Sequence, residues 1–225
     1  MSLEKRPLRV DVISDAVCPW CWIGKRRLEA AIRQCADRYA VAVHWHPFEL
    51  NPDLPKDGVD ARTHYERKFG SIERVRQLRA NVAAVGREAG IDFDFERAEK
   101  APNTFDSHRL VWLAAGTGFQ GAVVERLFRA FFVEGQDVGD HRVLVRLAEE
   151  AGLDPHDVEH VLASEAGAAE VRGAEEAVRR LGVSSVPFFV VEGQWAISGA
   201  QPVDAFVQLL DHAAQQIAAQ ATPRA

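Results

Sequence analysis

Cys18-Pro19-Trp20-Cys21 places two thiols two residues apart, and this is the strongest chemical signal in the chain. The motif follows the apolar run from Leu8 to Val17 and opens a stretch of helical spacing from Trp22 to Cys35. A thiol at a strand-to-helix junction meets the unpaired N–H groups and the positive dipole end of the helix, which stabilise a thiolate. The thiolate is the attacking species in disulfide exchange. Cys18 is therefore the candidate nucleophile, and Cys21, one turn further in, the candidate resolving thiol. Half of a zinc site and a pair of buried core thiols are the rival readings of such a pair.

The elements that must hold these thiols are legible on both sides of them. Leu8 to Ser14 reads as a strand, Val17 to about Tyr39 as a helix, and Val41 to Leu50 as a second strand of alternating, β-branched character. A strand–helix–strand unit implies a parallel pair. Asn51-Pro52-Asp53-Leu54-Pro55 is a loop. Helical periodicity then dominates, over Asp60–Gly70, Ser71–Gly90, Thr104–Gly116, Phe119–Glu134, His141–Gly152 and Pro155–Glu165. Asp154-Pro155 looks like a cap followed by proline in the first turn, and Ile91 to Phe95 like an extended connector. Strand signals return after a helix over Ala168–Leu181: Phe188–Val191, the turn Glu192-Gly193, and Gln194–Ser198 form a hairpin before a last amphipathic helix from Val203 to about Ala219. The tail Thr222-Pro223-Arg224-Ala225 reads as frayed.

At 225 residues, the chain is long enough for one large domain or for a domain with a sizeable insertion. A hydrophobic share of 47% and a charged share of 27% are those of a globular protein. The net charge of −6, without a basic block, argues against nucleic acid as a partner. No apolar run reaches the length of a membrane span, and Met1 to Arg9 has no apolar signal core. Three cysteines make no disulfide scaffold, so the expected compartment is the cytoplasm. Cys35 lies fourteen residues after Cys21, close to four helical turns, on the same face; it reads as a core thiol, with a resolving or regulatory role as the alternative.

The order strand, CxxC-bearing helix, strand, helices, Val-Pro, hairpin and helix resembles the thioredoxin fold with a large all-helical insertion of the DsbA type. Three segments narrow the resemblance to the FrnE-like subgroup of DsbA-family oxidoreductases: Ser14 to Gly24, Pro102 to Arg109, and Val183 to Phe189 together with Ile197 to Gln201. The implied architecture is a discontinuous thioredoxin domain, residues 1–56 and 165–225, around a helical domain of residues 57–164. The implied activity is thiol–disulfide oxidoreductase or isomerase through a mixed disulfide at Cys18 that Cys21 resolves. Such exchange takes no bound cofactor; glutathione or another cellular thiol system is the implied electron partner, with protein or small-molecule thiols and disulfides as substrates. The resemblance further implies a cis Val186–Pro187 bond lying against the motif, with Val186 offering its backbone to a substrate. Pro19 and Trp20 would set the turn and field around Cys18, although Trp20 also reads as a packing or surface aromatic. Asn103 and His108 are assigned to a substrate groove, with capping by Asn103 and surface packing by His108 as alternatives.

Thioredoxin-like chains usually carry a buried acid six residues before the first cysteine; here that position is Val12. Asp11 points to the other face, and Asp15 is a support candidate that reads more readily as a solvated loop carboxylate or helix cap. His44 and His46 alternate on one face of the second strand, but their spacing to the cysteines matches no zinc pattern, and no metal is expected. The same fold group holds 2-hydroxychromene-2-carboxylate isomerases and kappa-class glutathione transferases, which typically have serine where Cys18 stands. A glutathione-dependent small-molecule isomerase or transferase is thus the alternative function, and a non-catalytic binding or chaperone-like module the second.

Overall fold

A computed structural model describes residues 5–221, so the expected fraying of residues 222–225 lies outside the described residues, as does most of the segment before Arg6. The chain runs β1 (Arg6–Ser14), α1 (Pro19–Gln34), β2 (Tyr39–Pro47), β3 (Val59–Asp60), α2 (Ala61–Phe69), α3 (Ile72–Glu88), β4 (Lys100–Ala101), α4 (Phe105–Leu113), α5 (Gln120–Phe132), α6 (His141–Glu150), α7 (Pro155–Leu162), α8 (Ala168–Arg180), β5 (Phe188–Val191), β6 (Trp195–Ser198) and α9 (Val203–Ala221). The main sheet has the order β2-β1-β5-β6. β1 is parallel to β2, from Arg6↔Tyr39 to Ser14↔Pro47, and antiparallel to β5, which pairs antiparallel with β6. This is the thioredoxin arrangement, with a helical insertion between β2 and α8.

β1 lies inside the sheet, between β2 and β5, and Val10 and Val12 on one of its faces have no exposed surface. On one side α9 packs on α1, β1 and β5, and Phe206 meets Phe189 edge-on at 4.7 Å. α4, α5 and α8 pack against β2. α1 is keyed to the insertion through Trp22, which stacks on Phe128 at 6.0 Å and meets Phe93 edge-on at 5.6 Å. Glu125 of α5 accepts from the Trp22 indole at 3.2 Å and pairs with Lys25 at 2.8 Å and Arg26 at 2.5 Å. The end of α1 that carries the motif is thereby held from two directions.

Element ends follow local chemistry. Asp60, Ser71, Asp140 and Asp154 each accept a hydrogen bond from a first-turn N–H of their helices. α1 is shorter than its periodicity suggests. After Gln34 the chain turns, the Cys35 carbonyl accepting from Arg38 and Tyr39 N–H at 2.9 Å, and β2 starts two residues early. β2 also stops before Leu50, because β1 offers no partner beyond Ser14, whose carbonyl takes the Phe48 N–H at 3.1 Å. Phe48, Glu49 and Leu50 therefore leave the sheet and turn toward the site. The β3–β4 ladder has no sequence signature, since two residues per strand display no period.

Candidate active site

Cys18 caps α1, with extended backbone (φ −99°, ψ 109°), and Pro19 occupies the first helical turn. Its N–H donates to the Asp15 carbonyl at 3.0 Å, and its own carbonyl accepts from Cys21 N–H at 3.0 Å, which folds the two thiols into one turn. All three cysteines are free thiols. The Val186–Pro187 bond is cis, and the Val186 carbonyl accepts from the Cys18 thiol at 3.6 Å. Gly24, one turn after Cys21, makes this approach feasible: a Cβ there would stand 2.9 Å from Phe189 Cζ and 3.1 Å from Pro187 Cγ.

The two thiols have different surroundings. Cys21 is wholly buried. Burial pushes its pKa well above the ordinary thiol value, hydrogen bonding and charge from Cys18 add to this, and the Ser14 side chain and Asp15 backbone oppose it. Cys18, at the helix start, is only 4% exposed. What it faces is a largely apolar groove of about 450 Å³. Trp20 and Phe69, both substantially exposed, stand at this groove, and Leu50, Tyr65, Phe131 and Val186 line it. Burial raises the Tyr65 phenol to about 12. Lys68 Nζ donates to Asn51 Oδ1 at 2.5 Å on the groove wall; burial lowers its pKa, and the charges of Asp15 and Cys18 act against that.

Asp15 corrects the reading of a solvated loop carboxylate. It has no exposed surface, and its Oδ2 accepts from Leu50 N–H at 2.7 Å. The residue falls in the turn between β1 and α1, where the chain passes under Phe48–Leu50. His108 on α4 is also buried rather than on the surface, its Nε2 3.5 Å from Asp15 Oδ1. Neither His108 nor Asn103 lines the Cys18 groove. Asn103 Oδ1 accepts from Phe105 N–H at 3.0 Å at the start of α4, its amide donates to the Leu54 carbonyl at 2.9 Å, and it borders a separate polar cavity of about 430 Å³. Val12 is buried at the position where an acid is usual, while Asp11, on the opposite face of β1, pairs with Arg9 at 2.6 Å and His46 at 2.6 Å. Cys35 is fully buried. Among the described residues, no group of three or more His, Cys, Asp or Glu is arranged to hold a metal.

Two buried carboxylates escaped the sequence reading. Glu49 N–H donates to Glu175 Oε1 at 2.7 Å, and the Glu49 carboxyl is pushed up to about 7 by burial and by the Glu175 charge, against the pull of His108 and Arg179. Each had a faint signal: Glu49 interrupts Phe48 and Leu50, and Glu175 falls on the buried stripe Ala168, Val171, Glu175 of α8.

Comparison with known proteins agrees with the fold. The sequence profile of the DSBA-like thioredoxin domain matches residues 9–211. The probable DsbA oxidoreductase of Streptomyces coelicolor superposes with a TM-score of 0.85 at 36% identity, over 97% of this chain and 93% of that one. An uncharacterised protein of Bacillus subtilis, YwbO, is 28% identical over 200 residues, 88% of this chain and 94% of its own length. The cytosolic disulfide reductase DsbM of Pseudomonas aeruginosa, solved with glutathione, shares the fold at 21% identity, with a TM-score of 0.65 over 92% of this chain and 99% of that one. Among the described residues, no helix is long and apolar enough to cross a membrane.

Proposed function

The chain belongs to the DSBA-like thioredoxin domain family of disulfide oxidoreductases, and from that premise we propose that it exchanges thiols and disulfides through Cys18 and Cys21. The observation that carries this reading is the placement of the Cys18 sulfur at the start of α1, 3.6 Å from the Val186 carbonyl and open to an apolar groove. In reduction, the Cys18 thiolate attacks one sulfur of a substrate disulfide. A Cys18–substrate bond forms, the substrate S–S bond breaks, and the leaving sulfur takes a proton. Cys21, deprotonated, then attacks Cys18, and the second substrate sulfur leaves as a thiol. Two electrons and two protons pass to the substrate, and the protein holds a Cys18–Cys21 disulfide. Run backwards, the same steps oxidise a dithiol; stopped at the mixed disulfide and returned, they isomerise.

Glutathione, in a reducing cytoplasm, is the proposed electron donor that returns the disulfide to two thiols. The Val186 carbonyl and Trp20 at the groove would seat an extended substrate segment beside Cys18, with Pro19 and Pro187 shaping the surface around the sulfur. The test is turbidimetric insulin reduction with dithiothreitol or glutathione as donor. The wild-type chain should accelerate precipitation, Cys18→Ser should abolish the effect, and Cys21→Ser should accumulate a mixed disulfide that mass spectrometry locates on Cys18. Equal activity in wild type and Cys18→Ser would refute the reading.

A further inference from the structure

The turn that presents the nucleophile holds one member of a buried pair, Asp15 and His108, that disulfide exchange as written does not use. The Asp15 carbonyl holds the Cys18 N–H at 3.0 Å, so the Asp15 carboxylate belongs to the turn that presents the sulfur. That carboxylate accepts from Leu50 N–H at 2.7 Å and from Val17 N–H at 3.4 Å, and both residues line the Cys18 groove. A carboxylate with no exposed surface requires compensation, and an uncompensated one beside a thiol disfavours the thiolate. The cationic group in contact is His108, which is 4% exposed; its Nε2 makes no hydrogen bond and stands 3.5 Å from Asp15 Oδ1, while Lys68 on the groove wall acts on Asp15 from further off.

The surroundings of His108 decide its charge. The turn after β1 presents Asp15, and the segment after β2 presents Glu49. α8 presents Glu175, with Arg179 bound to the Glu49 carbonyl at 3.1 Å. His46 of β2 borders the same small cavity of about 20 Å³, and α5 contributes only apolar side chains to it. On its own helix, Asp106 and Arg109 are paired with each other at 2.7 Å. The acidic side chains of Asp15, Glu175 and Glu49 thus act together on the ring. Burial draws the His108 pKa down, but the contact and charge of Asp15, with Glu175 and Glu49 behind it, carry it above the ordinary value.

We infer that His108 is a positioning residue for Cys18: its imidazolium cancels the Asp15 carboxylate of the turn that presents the nucleophile and holds it on the Leu50 amide at the groove wall. The inference rests on Cys18 being the attacking thiol. It is tested by alkylation instead of disulfide exchange, so a chain inactive on insulin would count against the proposed activity alone.

The experiment follows iodoacetamide labelling of Cys18 at pH 7 in the full chain, resolved by peptide mass mapping. His108→Gln removes the cation nearest Asp15, leaving only the more distant Lys68 acting on it, and should slow labelling about tenfold, the effect of roughly one unit of pH on a thiolate population. Asp15→Asn/His108→Gln removes both charges and should return the rate to within about twofold of wild type. A single variant as fast as wild type, or a double variant as slow as the single one, overturns the inference; lost packing would not be repaired by the second substitution. A second measurement covers the case in which His108→Gln does not fold. Coupling between the two charges is reciprocal, so in Cys18→Ser the His108 ring, followed by nitrogen NMR, should lose its proton at lower pH than in wild type. Identical midpoints would equally overturn it.

Discussion

Resolution of the mixed disulfide should be the pH-sensitive step of this protein. Cys21 must lose a proton before it attacks Cys18, and burial, the largest influence on it, holds that proton well above the ordinary thiol range. Once Cys18 is tied to substrate, its hydrogen bond to and charge on Cys21 disappear, but the burial remains because Cys21 has no exposed surface. Below the pKa of a thiol the thiolate fraction grows tenfold per pH unit. The decay of a Cys18 mixed disulfide should therefore accelerate by close to tenfold from pH 7 to 8, and again toward pH 9. The Ser14 side chain is the side-chain group that lowers the Cys21 pKa. A hydrogen bond to a charged partner is worth about 1.5 kcal/mol at the lower end, so Ser14→Ala should slow decay about tenfold at every pH in that range. Trp22, stacked next to Cys21 in α1, supplies a stopped-flow fluorescence signal for a pre-formed mixed disulfide with glutathione. A rate flat between pH 6 and 9, with no change in Ser14→Ala, would refute the reasoning and assign the proton to another group.

Four further outcomes are expected. Glu49, raised from 4.5 to about 7 by burial and Glu175, has a folded pKa above its unfolded one, so its contribution to stability is full below about pH 4.5 and lost as pH rises through about 7. Glu49→Gln should therefore gain on wild type by up to about 3 kcal/mol between pH 5 and 8 in urea unfolding, and a pH-independent difference would contradict this. Gly24→Ala should cost about 1–3 kcal/mol and reduce insulin activity, because the new methyl meets Phe189 and Pro187. Gly121→Ala in α5, where nothing stands within 4 Å, should instead stabilise by about 0.5–1 kcal/mol, and thermal unfolding of both variants separates crowding from helix propensity. Brief iodoacetamide treatment of the folded chain should label Cys18 before Cys21 and Cys35, because only Cys18 faces the groove; predominant labelling of Cys35 would count against the site.

What could be read from the residues alone was whatever depends on near neighbours along the chain. Cys18 and Cys21 are one turn apart whatever surrounds them, Asp154-Pro155 starts a helix by its own side chain and ring, and Phe188–Val191 with Glu192-Gly193 makes a hairpin locally. Periodicity located the helices of the insertion for the same reason, and missed β3 and β4, whose pairing joins residues about forty apart. The polar environment of the thiols was decided by tertiary structure. Asp15, Glu49, His108 and Glu175 come from four separate segments and are charged residues that ordinarily belong in solvent. The sequence places Asp15 in a loop beside the site and His108 in a substrate groove or on the surface, and marks neither Glu49 nor Glu175. Only the folding of β2 off the sheet after Pro47, and the packing of α4 and α8 against it, excludes water from all four and makes their charges depend on one another. Burial is a property of the whole packed chain, and no spacing of residues along it records which carboxylates will lose their water.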